Sequence, residues 1–163
     1  MASQRDIELA VRFIKAENTE SLAVLLLEAW LHTGHLERAL DLPKVHGSRF
    51  EFHVPGGRID LLLFHEDGGM TILEAKGWAQ PAKIASGIGQ LFYYASVLPS
   101  VLSARQQPKY LRKMLVAPVS PQEAVPLLGA CQSAGVDFRP LPTIDQVREI
   151  VSLHGNRGQQ ERD

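Results

Sequence analysis

Two apolar runs, residues 61–64 and 70–73, flank the segment His65-Glu66-Asp67-Gly68-Gly69. Runs of strand length on either side of an Asp-Gly pair predict a β-hairpin, since a tight turn between strands needs backbone conformations that glycine supplies at no steric cost. A turn centred on Asp67 sets residue 60 opposite residue 74, and these are Asp60 and Glu74. Carboxylates directly opposite on antiparallel strands have β-carbons about 5 Å apart and repel each other. Ionising one then disfavours ionising the other unless a cation sits between them. A divalent metal ion resolves that conflict. The two-residue period of a strand also turns Glu74 and Lys76 to one side and Leu73 and Ala75 to the other. An acid pair beside a lysine is the layout of metal-dependent phosphodiester hydrolysis. The carboxylates hold Mg²⁺, and the lysine steadies the nucleophile or the developing charge.

The remaining pattern alternates helices and strands. Ile7, Ala10, Val11 and Ile14 predict an amphipathic helix over 3–16. A second, largely buried helix runs from Thr19 to about Thr33 and is closed by Gly34, with a further helical turn over 36–42. Residues 48–54 read as a strand, and Pro55-Gly56-Gly57 turns the chain into the Asp60 strand. Pro81 opens a helix reaching about Leu98, with Ile84, Ile88, Leu91 and Ala95 as its buried stripe. Lys83, Gly87, Gln90 and Tyr94 form a second stripe that suits a helix laid along a phosphate backbone, Gly87 leaving room for the strand. A strand over 111–119, a helix over 121–133, a strand over 136–141 and a closing helix over 144–153 follow. Residues 1–154 are expected to form one domain with an N-terminal helix, and residues 155–163 a disordered polar tail.

Asp60 with Glu74-Ala75-Lys76, followed on the next helix by Ile88-Gly89-Gln90-Leu91-Phe92-Tyr93-Tyr94, resembles the PD-(D/E)-x-K nuclease superfamily of restriction endonucleases, Holliday junction resolvases and phage exonucleases. Ile59 stands where the name-giving proline would be. The resemblance covers residues 19–118. It implies an α/β fold of restriction-endonuclease-like type, an α-β-β-β-α-β core whose central mixed sheet is flanked by helices. It also implies Mg²⁺ or Mn²⁺ held by Asp60, Glu74 and the Ala75 carbonyl, joined by a glutamate of the first core helix, for which Glu20 is preferred to Glu28. Lys76 would position or activate water, and Gln90 and Tyr94 would orient the substrate backbone or the lysine. The implied catalytic set is Asp60, Glu74, Lys76 and Gln90, with nucleic-acid contacts from Lys83, Gly87, Gln90 and Tyr94. The implied activity is that of an endonuclease on DNA, with RNA as the alternative substrate. The rival reading is a non-catalytic protein of the same fold serving a larger nucleic-acid-processing assembly.

Charge tempers the nucleic-acid expectation. Seventeen Lys and Arg stand against 18 Asp and Glu, for a net charge of −1, whereas phosphate neutralisation usually demands a basic excess. A homodimer or a protein partner is therefore expected to supply part of the affinity. The densest basic run is 105–113. A single cysteine, Cys131, leaves no internal disulfide and no multi-cysteine metal cluster. The six histidines lack zinc spacing, and His53 and His65 read as surface residues. No apolar run approaches the roughly 20 residues that span a bilayer and no signal-peptide core opens the chain, so a cytoplasmic protein with no membrane contact is expected.

Overall fold

The computed structural model describes residues 19–77, 79–143 and 145–146. Five strands lie side by side in chain order: β1 (Val45–Val54), β2 (Gly57–His65), β3 (Met70–Ala75), β4 (Leu111–Pro118) and β5 (Asp137–Leu141). The links β1–β2 and β2–β3 are tight turns, which can only reverse the chain, and these strands pair antiparallel. The later links carry helices α3 (Pro81–Val101) and α4 (Pro121–Ser133), which allow β4 and β5 to join in parallel. Both crossovers advance across the sheet in the same direction, so their common right hand places α3 and α4 on one face. Helices α1 (Thr19–His32) and α2 (Leu36–Leu40) pack on the other.

Two cores result. Leu62, Ile72, Leu115 and Ala117 meet Ile84, Leu91, Tyr94 and Leu98 of α3 and Leu127 and Cys131 of α4. Leu61, Leu63, Leu73, Met114 and Val116 meet Ala23, Leu26 and Leu27 of α1 and Leu36 and Leu40 of α2. With both faces covered, all six residues of β3 are buried, which is why its sequence reads as a run rather than an alternation. Gly34 closes α1 with φ +71, and the next N–H, of His35, returns to the Trp30 carbonyl at 2.8 Å.

The hairpin has the expected register. Pairing runs from Leu61↔Leu73 to Phe64↔Met70, which centres the turn on Asp67. The Asp67 carboxylate accepts the Gly69 N–H at 2.9 Å and the Tyr110 hydroxyl at 2.7 Å. These bonds, the Gly69 N–H foremost, hold its pKa below the usual carboxylate value. Gly68, at φ +90, makes the turn possible.

His65 is not a surface residue. It is 1% exposed, with Nε2 2.7 Å from the Thr71 hydroxyl and Nδ1 3.1 Å from the Pro43 carbonyl. Both ring nitrogens are satisfied within the fold, so a histidine can occupy this position. Burial is the main cause that lowers its pKa from the ordinary 6.5. An unfolded chain then takes up a proton that the folded chain resists. His65 therefore contributes stability that is present above pH 6.5 and lost as pH falls through its folded value. Urea unfolding at about pH 7.5 and about pH 5 should show a steeper loss in the wild type than in His65→Gln; equal losses would refute this account.

Two element ends differ from expectation by three residues. β1 begins at Val45, not residue 48, because the Glu37 carboxylate of α2 accepts the Val45 N–H at 2.7 Å. α3 continues through Pro99 to Val101, where the Gln107 amide donates to the carbonyls of Pro99 and Leu102 at 2.9 and 3.2 Å. The expected helix over 3–16, nearly all of that over 144–153 and the tail lie outside the described residues. Among the described residues, no helix is long and apolar enough to cross a membrane.

Candidate active site

The hairpin ladder stops at Leu61↔Leu73, and the same register one step on brings Asp60 beside Glu74. At this step a side chain replaces the backbone: Asp60 Oδ2 accepts the Ala75 N–H at 2.8 Å. Two irregularities free Asp60 from the ladder. Across from it on β1, Glu51 adopts φ +53, between the pairs Phe50↔Leu61 and Phe52↔Ile59. Ile59 and Leu62, three apart, also share the core under α3, so the alternation of β2 slips at Asp60.

Glu74 and Lys76 sit at the carboxyl end of β3, where the chain departs for α3. Sheets with parallel strands commonly place their sites at such ends. Both residues are buried, at 2% and 5% exposure. Lys76 N–H donates to the Val116 carbonyl of β4 at 2.8 Å, which fixes the backbone just past the strand. Its Nζ donates to Glu74 Oε1 at 2.8 Å and to Gln90 Oε1 of α3 at 2.6 Å. The chain thus answers part of the expected conflict between Asp60 and Glu74 itself, the Ala75 N–H serving one carboxylate and the Lys76 ammonium the other. A dehydrated ion pair holds together only when further hydrogen bonds complete it, and Gln90 supplies one.

The face that α3 turns inward corrects the sequence reading. Its buried residues are Ile84, Gly87, Leu91, Tyr94 and Leu98, at spacings of three and four, with Ile88 and Ala95 at the margin. The stripe expected to face nucleic acid therefore divides. Lys83 is exposed, as expected. Gln90 is turned to Lys76. Gly87 is buried: a Cβ there would come 2.5 Å from Leu115 Cδ1 and 3.2 Å from Lys76 Cε. Tyr94, 6% exposed, lies over Gly57, whose Cβ would come 2.7 Å from Tyr94 Cε1. The nucleic-acid roles read for Gly87 and Tyr94 thus give way to close packing of helix on sheet, made possible by a glycine on each side. Gly87 stands three residues from Ile84, four from Leu91 and seven from Tyr94, so helical spacing alone allows this stripe as well as the one through Ile88 and Ala95.

The basic run 105–113 lies at the other end of the sheet. Leu111 pairs with Met70 at the amino end of β3 while Val116 pairs with Ala75, a separation of about 17 Å at 3.3 Å per residue. Arg112 is engaged there with Asp137 at 2.9 Å, and Lys113 stands over the Phe92 ring at 5.0 Å.

Glu20 falls in the first turn of α1, but its side chain lies outside the described residues. Among the described residues there is no cluster of three His, Cys, Asp or Glu side chains. The candidate donors are Asp60, Glu74 and the Ala75 carbonyl. All are hard oxygen donors, and Mg²⁺ typically takes one or two protein carboxylates and completes its shell with water and phosphate oxygens. The donor set fits such an ion in kind and number.

No family model and no curated protein matches the chain. Among solved structures, the chain is similar to an EndoMS complex with double-stranded DNA, at 21% identity and a TM-score of 0.50 over 78% of this chain and 46% of that one. A repair endonuclease from Pyrococcus abyssi aligns at 23% identity and a TM-score of 0.46, over 71% of this chain and 46% of that one. The chain spans less than half the length of either. The fold is α/β and restriction-endonuclease-like, with a five-stranded mixed sheet between helices.

Proposed function

We propose that this chain is a nuclease of the PD-(D/E)-x-K type that hydrolyses phosphodiester bonds in DNA with Mg²⁺ or Mn²⁺. The observation that carries this reading is the buried ammonium of Lys76, fixed by Gln90 and by Glu74, the residue that the hairpin register sets opposite Asp60. A lysine is seldom fully buried unless paired, and here its partner is one of the two carboxylates that would hold the ion. Asp60, Glu74 and the Ala75 carbonyl would hold the ion, with Glu20 as a further ligand. When bound, Mg²⁺ would polarise the phosphate and lower the pKa of a water.

The protein's own groups account for the rest. An ammonium has three donors; Glu74 and Gln90 take two, which leaves the third for a phosphate oxygen or a water. Glu74 holds that ammonium pointed at the carboxylates, and Gln90 stops it from swinging out toward solvent. Asp60, hydrogen-bonded to the backbone of β3, cannot drift from Glu74 without breaking that bond. Exposed Lys83 in the first turn of α3 is a candidate phosphate contact. EndoMS is held with double-stranded DNA in the similar structure, and duplex DNA is the corresponding substrate here. With a net charge of −1, a second copy or a protein partner would add phosphate contacts.

The test is cleavage of plasmid and end-labelled duplex DNA with each ion in turn. Mg²⁺ or Mn²⁺ should support cleavage. Ca²⁺, larger and loosely coordinated, should support binding without cleavage, and chelator should end both. Hydrolysis that persists in excess chelator would overturn the mechanism. DNA binding without cleavage in any divalent ion would favour a non-catalytic component of a larger assembly.

A further inference from the structure

We infer that Gly87 is a positioning residue for Lys76: the gap it leaves in α3 seats the lysine stem so that Gln90, one helical turn on, can hold the ammonium. The inference rests on the proposed nuclease reading for its catalytic meaning, and on the packing alone for its geometry.

Three observations converge on this role. Lys76 is buried although its side chain must run from the end of β3 toward α3 to reach Gln90. Gly87 lies three residues before Gln90, on the same side of the helix. The space under Gly87 is bounded by two side chains, Leu115 of β4 and Lys76 itself, whose Cε would lie 3.2 Å from a Cβ at position 87. A contact of that length obliges the lysine to give way by a few tenths of an ångström. The 2.6 Å bond to Gln90 and the 2.8 Å bond to Glu74 leave little slack for such a shift. Leu115 meets the new methyl more closely still, at 2.5 Å, so its clash has to be removed separately from that of the lysine. A Cβ at Gly89 of the same helix would meet nothing within 4 Å, whereas one at Gly87 meets both Leu115 and the lysine stem.

The experiment uses Gly87→Ala and the double variant Gly87→Ala/Leu115→Val, which removes the leucine clash and keeps the one with Lys76. Competitive amine acylation, mapped by mass spectrometry, reads the accessibility of the Lys76 ammonium with exposed Lys83 and Lys109 as references. In Gly87→Ala, Lys76 should label several times faster than in the wild type while the references stay unchanged. The rate constant kcat should fall about tenfold, the value of one hydrogen bond, with KM unchanged. The double variant should regain thermal stability yet keep both the fast labelling and the low kcat. Wild-type labelling of Lys76 in Gly87→Ala would overturn the inference. So would return of labelling and kcat together with stability in the double variant, because Gly87 would then serve packing alone. If Gly87→Ala does not fold, the double variant is read against the wild type by the same two outcomes. A wild type without nuclease activity, combined with fast Lys76 labelling in the variants, would leave the positioning role standing and remove the nuclease reading.

Discussion

Glu74→Ala should destabilise the protein by about 3–5 kcal/mol, measured by urea unfolding without metal, because it strands a buried ammonium without its carboxylate. The sequence alone points the other way. If Asp60 and Glu74 only repelled each other, deleting either would relieve the fold. The structure reverses the sign, because Lys76 lies closer to Glu74 than any simple hairpin model requires, with Nζ at 2.8 Å and both side chains buried. The companion variant is Glu74→Leu/Lys76→Met, which replaces both charges by apolar groups of similar size. Buried ion pairs often lose nothing on such replacement and can gain about 1–4 kcal/mol. The double variant should therefore unfold at the same or a higher urea concentration than the wild type, while cleavage disappears. That combination would show that the pair is kept for chemistry rather than for stability. A double variant as unstable as Glu74→Ala would instead make the pair a structural element, and a Glu74→Ala protein as stable as the wild type would mean that water reaches the pair in solution.

The same contrast explains what could be read from the chain without coordinates. The hairpin was legible because its signals are local: apolar runs around Asp67-Gly68 fix the turn, and the turn fixes which residues oppose. The grouping of Asp60, Glu74 and Lys76 follows from that register and from strand period. Among the described residues the helices were legible from periodicity, and α4 spans residues 121–133 as expected. What could not be read is how α3 is rotated on the sheet. Sequence periodicity offers two adjacent stripes, and the one through Ile88 and Ala95 is the more apolar, although the fold buries the one through Gly87 and Tyr94. The choice is made by partners far along the chain. Gly57 accepts the Tyr94 ring and Leu115 fills the hollow under Gly87, and no local signal in either segment announces the other. His65 was misread for a similar reason. Its two partners, Thr71 and the Pro43 carbonyl, come from segments on either side of it, so its burial is a property of the tertiary fold.

Asp60→Asn should separate the metal role of Asp60 from its structural one. The structural role is acceptance of the Ala75 N–H at 2.8 Å, and an asparagine carbonyl oxygen in the same place accepts the same bond, less strongly than a carboxylate does. Urea unfolding should accordingly move by no more than about 1 kcal/mol, the difference between a charged and a neutral acceptor for one hydrogen bond. The metal role depends on charge, which asparagine lacks. Binding of Mn²⁺ by titration calorimetry should weaken sharply. Cleavage should fall by about a thousandfold or more, because a bound ion contributes several kcal/mol to stabilising the transition state and about 4 kcal/mol corresponds to that factor. Cleavage near the wild-type rate would remove Asp60 from the site. A large loss of stability would mean that its carboxylate charge, and not merely its hydrogen bond, holds β2 to β3. The expected pattern, an intact fold with neither metal binding nor cleavage, arises only if Asp60 stands at the end of the ladder to bring a second negative charge beside Glu74.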